Sequence, residues 1–438
     1  MCKRQNWGAE MKNTAFAARE APDPKVGAAP AKKATAGAWI TFALLAAFAG
    51  ALLALALLAH LEDPEFPPDL MGFYTAGSLL KRGLRSEVYD VSAEMALQKE
   101  LFGRSVVTDV YDHPPFETLI YWALAYLPFP LAYFLWDLLN LILLMCSLYL
   151  LKPYATHFDT KARVTLALAA LFPLISTLRE GQNQVLLLIA CVGAFVFLKK
   201  RREFTAGSLL GAGLIRFQFV VPLLLVFLAL KRWKIILGAA AMGAFFGLIS
   251  LATVGLGGIR DYIRVVLPLA KSGAFPTLVP AMPSVRGFVN VLLAGKVDPL
   301  YQTVLVAASS LALLAWPILK WRRQGWNPGS RVFDLLFSLS LVACLMINPH
   351  SLINGLLILI LPGLLLLDYS AGAYARSPER WRAMLPLILV FLLTVFLNVA
   401  AGNRLSFLFV PILWLAIAIS REASLAREQA GGGERGRS

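Results

Sequence analysis

Long apolar runs separated by short polar gaps dominate the chain, and most runs exceed the length of a strand. Residues 37–61, "GAWITFALLAAFAGALLALALLAHL", contain no Lys, Arg, Asp or Glu, and about 20 such residues span a bilayer as a helix. A cleaved secretory leader would have a shorter apolar core much nearer the start. Here 36 mostly polar residues come first, so a retained first span is expected. Further crossings are expected near 130–151, 163–178, 185–198, 235–255, 299–319, 332–347, 351–367, 384–400 and 405–420. Within 116–151, Pro128 and Pro130 predict a shallow or re-entrant helix before the crossing proper.

Residues 204–230 break the alternation. They are mostly apolar, yet "KKRR" (199–202) precedes them and "KRWK" (231–234) follows. An odd number of crossings would place one basic cluster on the wrong side of the membrane. The pattern therefore predicts a hairpin of two short half-spans with its polar tip at "IRFQF" (215–219). Broken helices of this kind line cavities more readily than they face lipid. The expectation is an all-α polytopic membrane protein with about twelve transmembrane segments, the half-spans included. A helical extracytoplasmic loop (62–115) follows the first helix, and a second such segment covers 256–298. Tails 1–36 and 421–438 are expected to be disordered and cytoplasmic. No internal repeat is visible.

Composition supports this picture. The chain has 438 residues, 58% of them hydrophobic, against about 45–50% in soluble domains. The net charge of +15 would suit a nucleic-acid partner, but its location argues otherwise. The first 36 residues carry seven Lys/Arg against three Asp/Glu. The later clusters "KKRR", "KRWK", "KWRR" (320–323) and "RSPERWR" (376–382) sit in short gaps between apolar runs. That is the positive-inside distribution, which orients spans and predicts a multi-pass inner-membrane protein with both termini inside. No gap on that side could hold a folded nucleic-acid-binding domain. Of the four cysteines, Cys146, Cys191 and Cys344 lie in apolar runs and Cys2 in the first tail, with no metal-like or disulfide spacing.

Polar residues at membrane depth are costly and mark function, and here they gather on the outer side. Asp69, Tyr74, Asp109, Asp112 and His113 fall in the first outer loop. Arg179, Glu180, Gln182 and Gln184 form the next outer turn, and Arg216 and Gln218 the hairpin tip. Arg286, His350 and Arg404 complete the set. Each has a plainer reading. Asp69, directly before Leu70, suits a helix N-cap, and local pattern alone favours that. Tyr74 suits an interfacial aromatic. Asp109, Asp112, His113 and "GQNQ" suit turns, Arg179 and Arg404 suit snorkelling cations, and His350 suits a cap on its neighbour. Arg216, mid-segment in grease, is the hardest to explain without a ligand.

The order of these motifs resembles glycosyltransferase family 87, within the GT-C class of polytopic enzymes that use polyprenyl-phosphate sugars. "PDLMGFYTAGSLLKRGLRSEVYD" (68–90), "YDHPPFETLIYWALAYLPFPLAYFLWDLLNLILL" (111–144), "EGQNQVLLL", "AGSLLGAGLIRFQFVVPLLLVF", "MPSVRGFVNVLL" and "NPHSLINGLLILI" carry the resemblance over residues 37 to 370. It implies a hexosyltransferase, mannose most often, working on a lipid or glycan acceptor among membrane lipids, with no bound nucleotide, cofactor or metal. Asp69 is then the general base. Arg216, His350 and Arg286 grip the donor phosphate, and Tyr74, Gln182, His113 and Gln218 orient substrates. Two departures stand out. Arg216-Phe217-Gln218 replaces the family's Lys-Pro-Gln, and Asn354 stands where an Asp is frequent. The competing readings are a transporter or flippase, a lipid-linked glycan ligase or polymerase, and a scaffold. The long acidic loop after the first helix fits these less well.

Overall fold

The computed structural model describes residues 68–103, 111–272, 279–374, 377, 379–399 and 404–435. The expected first span at 37–61, the leading tail and Asp109 lie outside the described residues.

Every regular element among the described residues is helical. In chain order these are α1 (Leu70–Lys81), α2 (Val91–Phe102), α3 (Thr118–Leu124), α4 (Phe129–Leu151), α5 (Thr160–Glu180), α6 (Gln184–Lys199), α7 (Glu203–Ala212) and α8 (Phe217–Ala229). Then follow α9 (Trp233–Ser272), α10 (Val285–Leu293), α11 (Pro299–Gln324), α12 (Arg331–Ile347), α13 (Ile360–Ala373), α14 (Arg380–Val399) and α15 (Phe409–Arg435). Among the described residues, seven helical stretches are long and apolar enough to cross a membrane: 129–154, 160–180, 203–229, 233–266, 299–324, 353–373 and 405–429. α12 lies at the centre, with all but a few end residues buried, as a helix apolar on every side must be. The outer helices instead expose large apolar side chains such as Tyr149, Leu248 and Leu311. In water that belt would be unfavourable, and in lipid it costs little.

The stretch 203–229 is long enough for one crossing but does not make one. Arg232 Nη1 lies 3.3 Å from Glu203 Oε1, so the chain has returned to its starting level. α7 then runs alongside the beginning of α9, backbone to backbone. A Cβ added at Gly207 would sit 2.0 Å from the Ile235 carbonyl oxygen, and one at Gly238 would sit 2.1 Å from that of Phe204. At the tip, residues 213–216 form a 3-10 turn and Arg216 leaves helical geometry at φ −122°, ψ 63°.

α9 contains the sharpest bend. Gly255 adopts φ +71°, ψ −178°, a combination that glycine alone tolerates well. Beyond it, Ile259, Tyr262 and Val265 leave the bundle axis and pack on an aromatic cluster of Phe73, Tyr89, Tyr111, Tyr121 and Trp136. This outer subdomain gathers α1, α2, α3 and the far arm of α9. α2 is well delimited: Asp90 caps it through Ser92 N and Ala93 N, at 2.8 and 3.0 Å, and Gly103 at φ +71° ends it. α1 and α3 touch at Gly77, where an added Cβ would lie 2.3 Å from the Tyr121 carbonyl. At the other end of the chain, α15 continues to Arg435, through residues whose Gly and Arg content suggests a disordered tail. The segment "REASLAREQA" is rich in strong helix formers, and Glu422 accepts a 2.8 Å hydrogen bond from the Tyr374 hydroxyl.

Candidate functional site

The site begins at the turn between α5 and α6. Gly181 closes α5 at φ +64°, and its carbonyl accepts a 2.7 Å hydrogen bond from Trp136 Nε1. The Tyr133 hydroxyl donates to the Leu178 and Arg179 carbonyls at 2.6 and 2.9 Å, so α4 fixes the whole turn. Leu70 packs directly on Gly181; an added Cβ there would lie 2.6 Å from the Leu70 Cβ. That contact carries the start of α1, and Asp69 with it, to the side chain of Gln182.

Asp69 does not cap α1. Its backbone is already helical at φ −56°, ψ −25°, and its side chain makes no capping hydrogen bond. The carboxylate turns outward instead, and Oδ2 accepts from Gln182 Nε2. The local pattern favours a cap, but tertiary contact with the Gln182 turn wins. The Gln182 amide then faces two ways, because its Oε1 accepts from Arg216 Nη2 at the hairpin tip. A carboxylate and a guanidinium thus hold opposite ends of one neutral amide without forming an ion pair. Among the described residues, Asp69 Oδ1 and Arg216 Nη1 take no further hydrogen bond.

Behind this bridge lies a buried polar network. Arg216 Nε donates to Asn183 Oδ1 at 2.6 Å, and Asn183 Nδ2 donates to Glu117 Oε1 at 2.5 Å. Glu117, fully buried, also accepts from the Tyr121 hydroxyl at 2.6 Å and lies 2.9 Å from His113 Nδ1. Glu117 therefore decides which way the Asn183 amide points, and Asn183 decides where Arg216 can reach. His113 stacks against Phe73, ring centroids 4.5 Å apart. Phe73 is one helical turn beyond Asp69 and shares its face.

Electrostatics tie the remaining candidates to the same place. Burial pushes the Asp69 carboxyl above its ordinary value, while the Gln182 hydrogen bond and the charges of Arg216 and His113 pull it back. Burial holds His350 below its ordinary value, and the charges of Arg286 and Arg216 act in the same direction. Burial and the two neighbouring cations thus disfavour the charged imidazole of His350. Its backbone N donates to Asn348 Oδ1 at 3.1 Å. Arg286, on α10, and Gln218, in the first turn of α8, are half-buried.

Tyr74 is drawn away from this cluster. Its hydroxyl donates to the Leu127 carbonyl at 2.7 Å and its ring packs on Phe102 and Phe129. Arg179 and Arg404 are exposed. Asp112 is exposed too, with Oδ1 3.6 Å from His113 Nε2. Glu180 is held by Ser176 Oγ at 2.9 Å and by Asn354 Nδ2 at 3.1 Å. An Asp at position 354 would bring a second carboxylate against Glu180, so the amide suits this chain. Sequence reasoning overlooked Glu117 and Asn183. The i, i+4 spacing of His113 and Glu117 was the available signal, and Asn183 sits inside the "GQNQ" turn itself.

Among the described residues, no group of three or more His, Cys, Asp or Glu side chains is arranged to hold a metal ion. A family model described as "Glycosyltransferase family 87" matches residues 111–349. No curated protein and no solved structure matches the chain.

Proposed function

Because this chain belongs to glycosyltransferase family 87, we propose that it transfers a hexose from a polyprenyl-phosphate donor to a hydroxyl acceptor, with inversion at the anomeric carbon. Mannose is the hexose that the family resemblance implies. The reaction takes place on the extracytoplasmic side of a bundle with about twelve crossings and both termini inside. Acceptor and donor both come from the bilayer or its surface, so no nucleotide is needed.

The observation that carries this reading is the shared amide of Gln182, which keeps Asp69 and Arg216 adjacent but unneutralised. Asp69 takes the proton of the acceptor hydroxyl, since an alcohol is a weak nucleophile until that proton leaves. The acceptor oxygen forms a bond to C1 of the sugar while the bond from C1 to the phosphate oxygen breaks. The electron pair stays on the phosphate, whose growing charge needs fixed donors in a poorly screened site. Arg216 supplies one, with a guanidinium geometry suited to two phosphate oxygens. Arg286 adds a second cation and His350 a neutral donor. Gln182 sets the gap between base and cation. Glu117, Asn183 and His113 are positioning residues behind Arg216, and Tyr74 supports the subdomain rather than the substrate.

The test is a panel of polyprenyl-phosphate sugars incubated with purified protein and membrane lipids, the hexose-bearing product being identified by mass spectrometry. Asp69→Asn keeps the shape and should lower turnover by about 10²–10⁴-fold while the melting temperature holds. Wild-type turnover in Asp69→Asn would remove the base from the mechanism.

A further inference from the structure

The end of the bundle away from Asp69 has a polar site of a different kind. α11 starts just after the Arg286 helix and, with 26 residues, extends about 39 Å. Its last turn therefore lies on the opposite side of the apolar layer. There it meets α15 around a cavity of about 380 Å³ lined by Lys320, Arg323, Gln324, Ser424, Arg427 and Glu428. Three cations face one carboxylate.

At this same end, among the described residues, some cations have carboxylate partners and others, such as Arg322 on the Ala229 carbonyl, do not. Lys199 pairs with Asp334 at 2.5 Å, Arg331 with Asp368 at 2.9 Å, and Arg232 with Glu203 at 3.3 Å. Arg380 grips Asp159 through both terminal nitrogens, one contact being 2.7 Å. The cavity gathers cations of the second kind. Among the described residues, none of Lys320, Arg323 and Arg427 forms an ion pair. Lys320 Nζ donates to the Ser424 hydroxyl at 3.0 Å, and Arg427 Nη1 donates to the Arg323 carbonyl. Both contacts are to neutral groups. Gln324 Oε1 is buried without a hydrogen-bond partner, so the wall also offers an acceptor.

We infer that this cavity binds a phosphate group, held by Lys320, Arg323 and Arg427, at the level where lipid headgroups meet the bundle. A phospholipid supplies that chemistry as a headgroup phosphodiester, and its hydroxyls or amine would meet Gln324 Oε1 and Glu428. Basic pockets between spans on the Lys/Arg-rich side bind anionic headgroups for this reason. Free phosphate supplies the same anion without the acyl chains. The site lies a full bundle length from Asp69, so its failure would leave the transferase reading untouched, and the reverse also holds.

The experiment uses the full-length protein in detergent with phosphatidylglycerol or phosphatidylcholine, bound lipid being counted by native mass spectrometry. A parallel arm offers inorganic phosphate against chloride at equal ionic strength. Arg323→Gln/Arg427→Gln changes two exposed side chains and should fold; Lys320→Gln is the second variant. Removing a charge-assisted partner should weaken retention about tenfold or more. Variant-sensitive retention of either phospholipid assigns the phosphate to a lipid, since both carry the headgroup phosphodiester. Variant-sensitive binding of inorganic phosphate without lipid retention assigns it to the free anion. Retention of both lipids that is unchanged in the two variants, with no variant-sensitive binding of phosphate, overturns the site.

Discussion

Two polar clusters of the bundle handle charge in opposite ways. Around Asp69, neutral amides separate ionisable groups: Gln182 stands between Asp69 and Arg216, Asn183 between Arg216 and Glu117, and Asn354 against Glu180. In the second cluster, Lys199 and Asp334 touch directly, as do Arg331 and Asp368. A direct pair cancels both charges and fixes helices. An amide spacer satisfies both neighbours with hydrogen bonds while leaving their charges available to a substrate. The same residue types are therefore cancelled in one cluster and kept apart in the other.

The comparison can be broken by experiment. Asp334→Asn strips Lys199 of its carboxylate in a buried setting and should cost about 3–5 kcal/mol of stability. Turnover per folded molecule should hold, as thermal melting and a rate assay on the surviving fraction would show. Arg216→Ala should do the reverse. Losing a charge-assisted contact to phosphate raises the donor KM by about 10–150-fold, and melting should move little; a large loss of stability with an unchanged KM would put Arg216 among the structural pairs.

The pH profile sharpens the contrast further. A base works only when unprotonated, and burial raises the Asp69 value. The acid limb of kcat/KM should therefore lie above the ordinary carboxylate range. Gln182→Leu removes the hydrogen bond that lowers that value, so the limb should move to still higher pH. The smallest effect belongs to Tyr74→Phe, which deletes the hydroxyl contact to Leu127. About 1 kcal/mol of stability should go, read from a urea or thermal titration, with the sugar-transfer rate unchanged.

Much of the fold was legible because each span carries its own signal. Apolar run length marked the crossings near 130–151, 235–255 and 299–319, and the helices found there overlap them. The hairpin was legible from charge: basic clusters on both flanks of 204–230 require a return, and Arg232 beside Glu203 is that return. The site was only half legible. Ionisable residues in grease identified Arg216, and the family resemblance added Asp69. What Asp69 does with its side chain was not readable locally, since Asp after Pro-Pro suits a cap and only the packing of Leu70 on Gly181 decides otherwise. Glu117 and Asn183 escaped for a related reason. Their importance lies in buried contacts between α6 and the outer loop, which no local window contains. The helical continuation of α15 to Arg435 was masked by glycines near its end.

Gly255 has a consequence for how this chain can vary. With φ at +71° and ψ at −178°, the position accepts a one-letter alphabet, because any Cβ there strains the backbone. Every amino-acid substitution at 255 would tend to straighten a 40-residue helix and lift Tyr262 from the aromatic cluster it packs against. Drift should thus be scarcer at this glycine than at many residues of the candidate site.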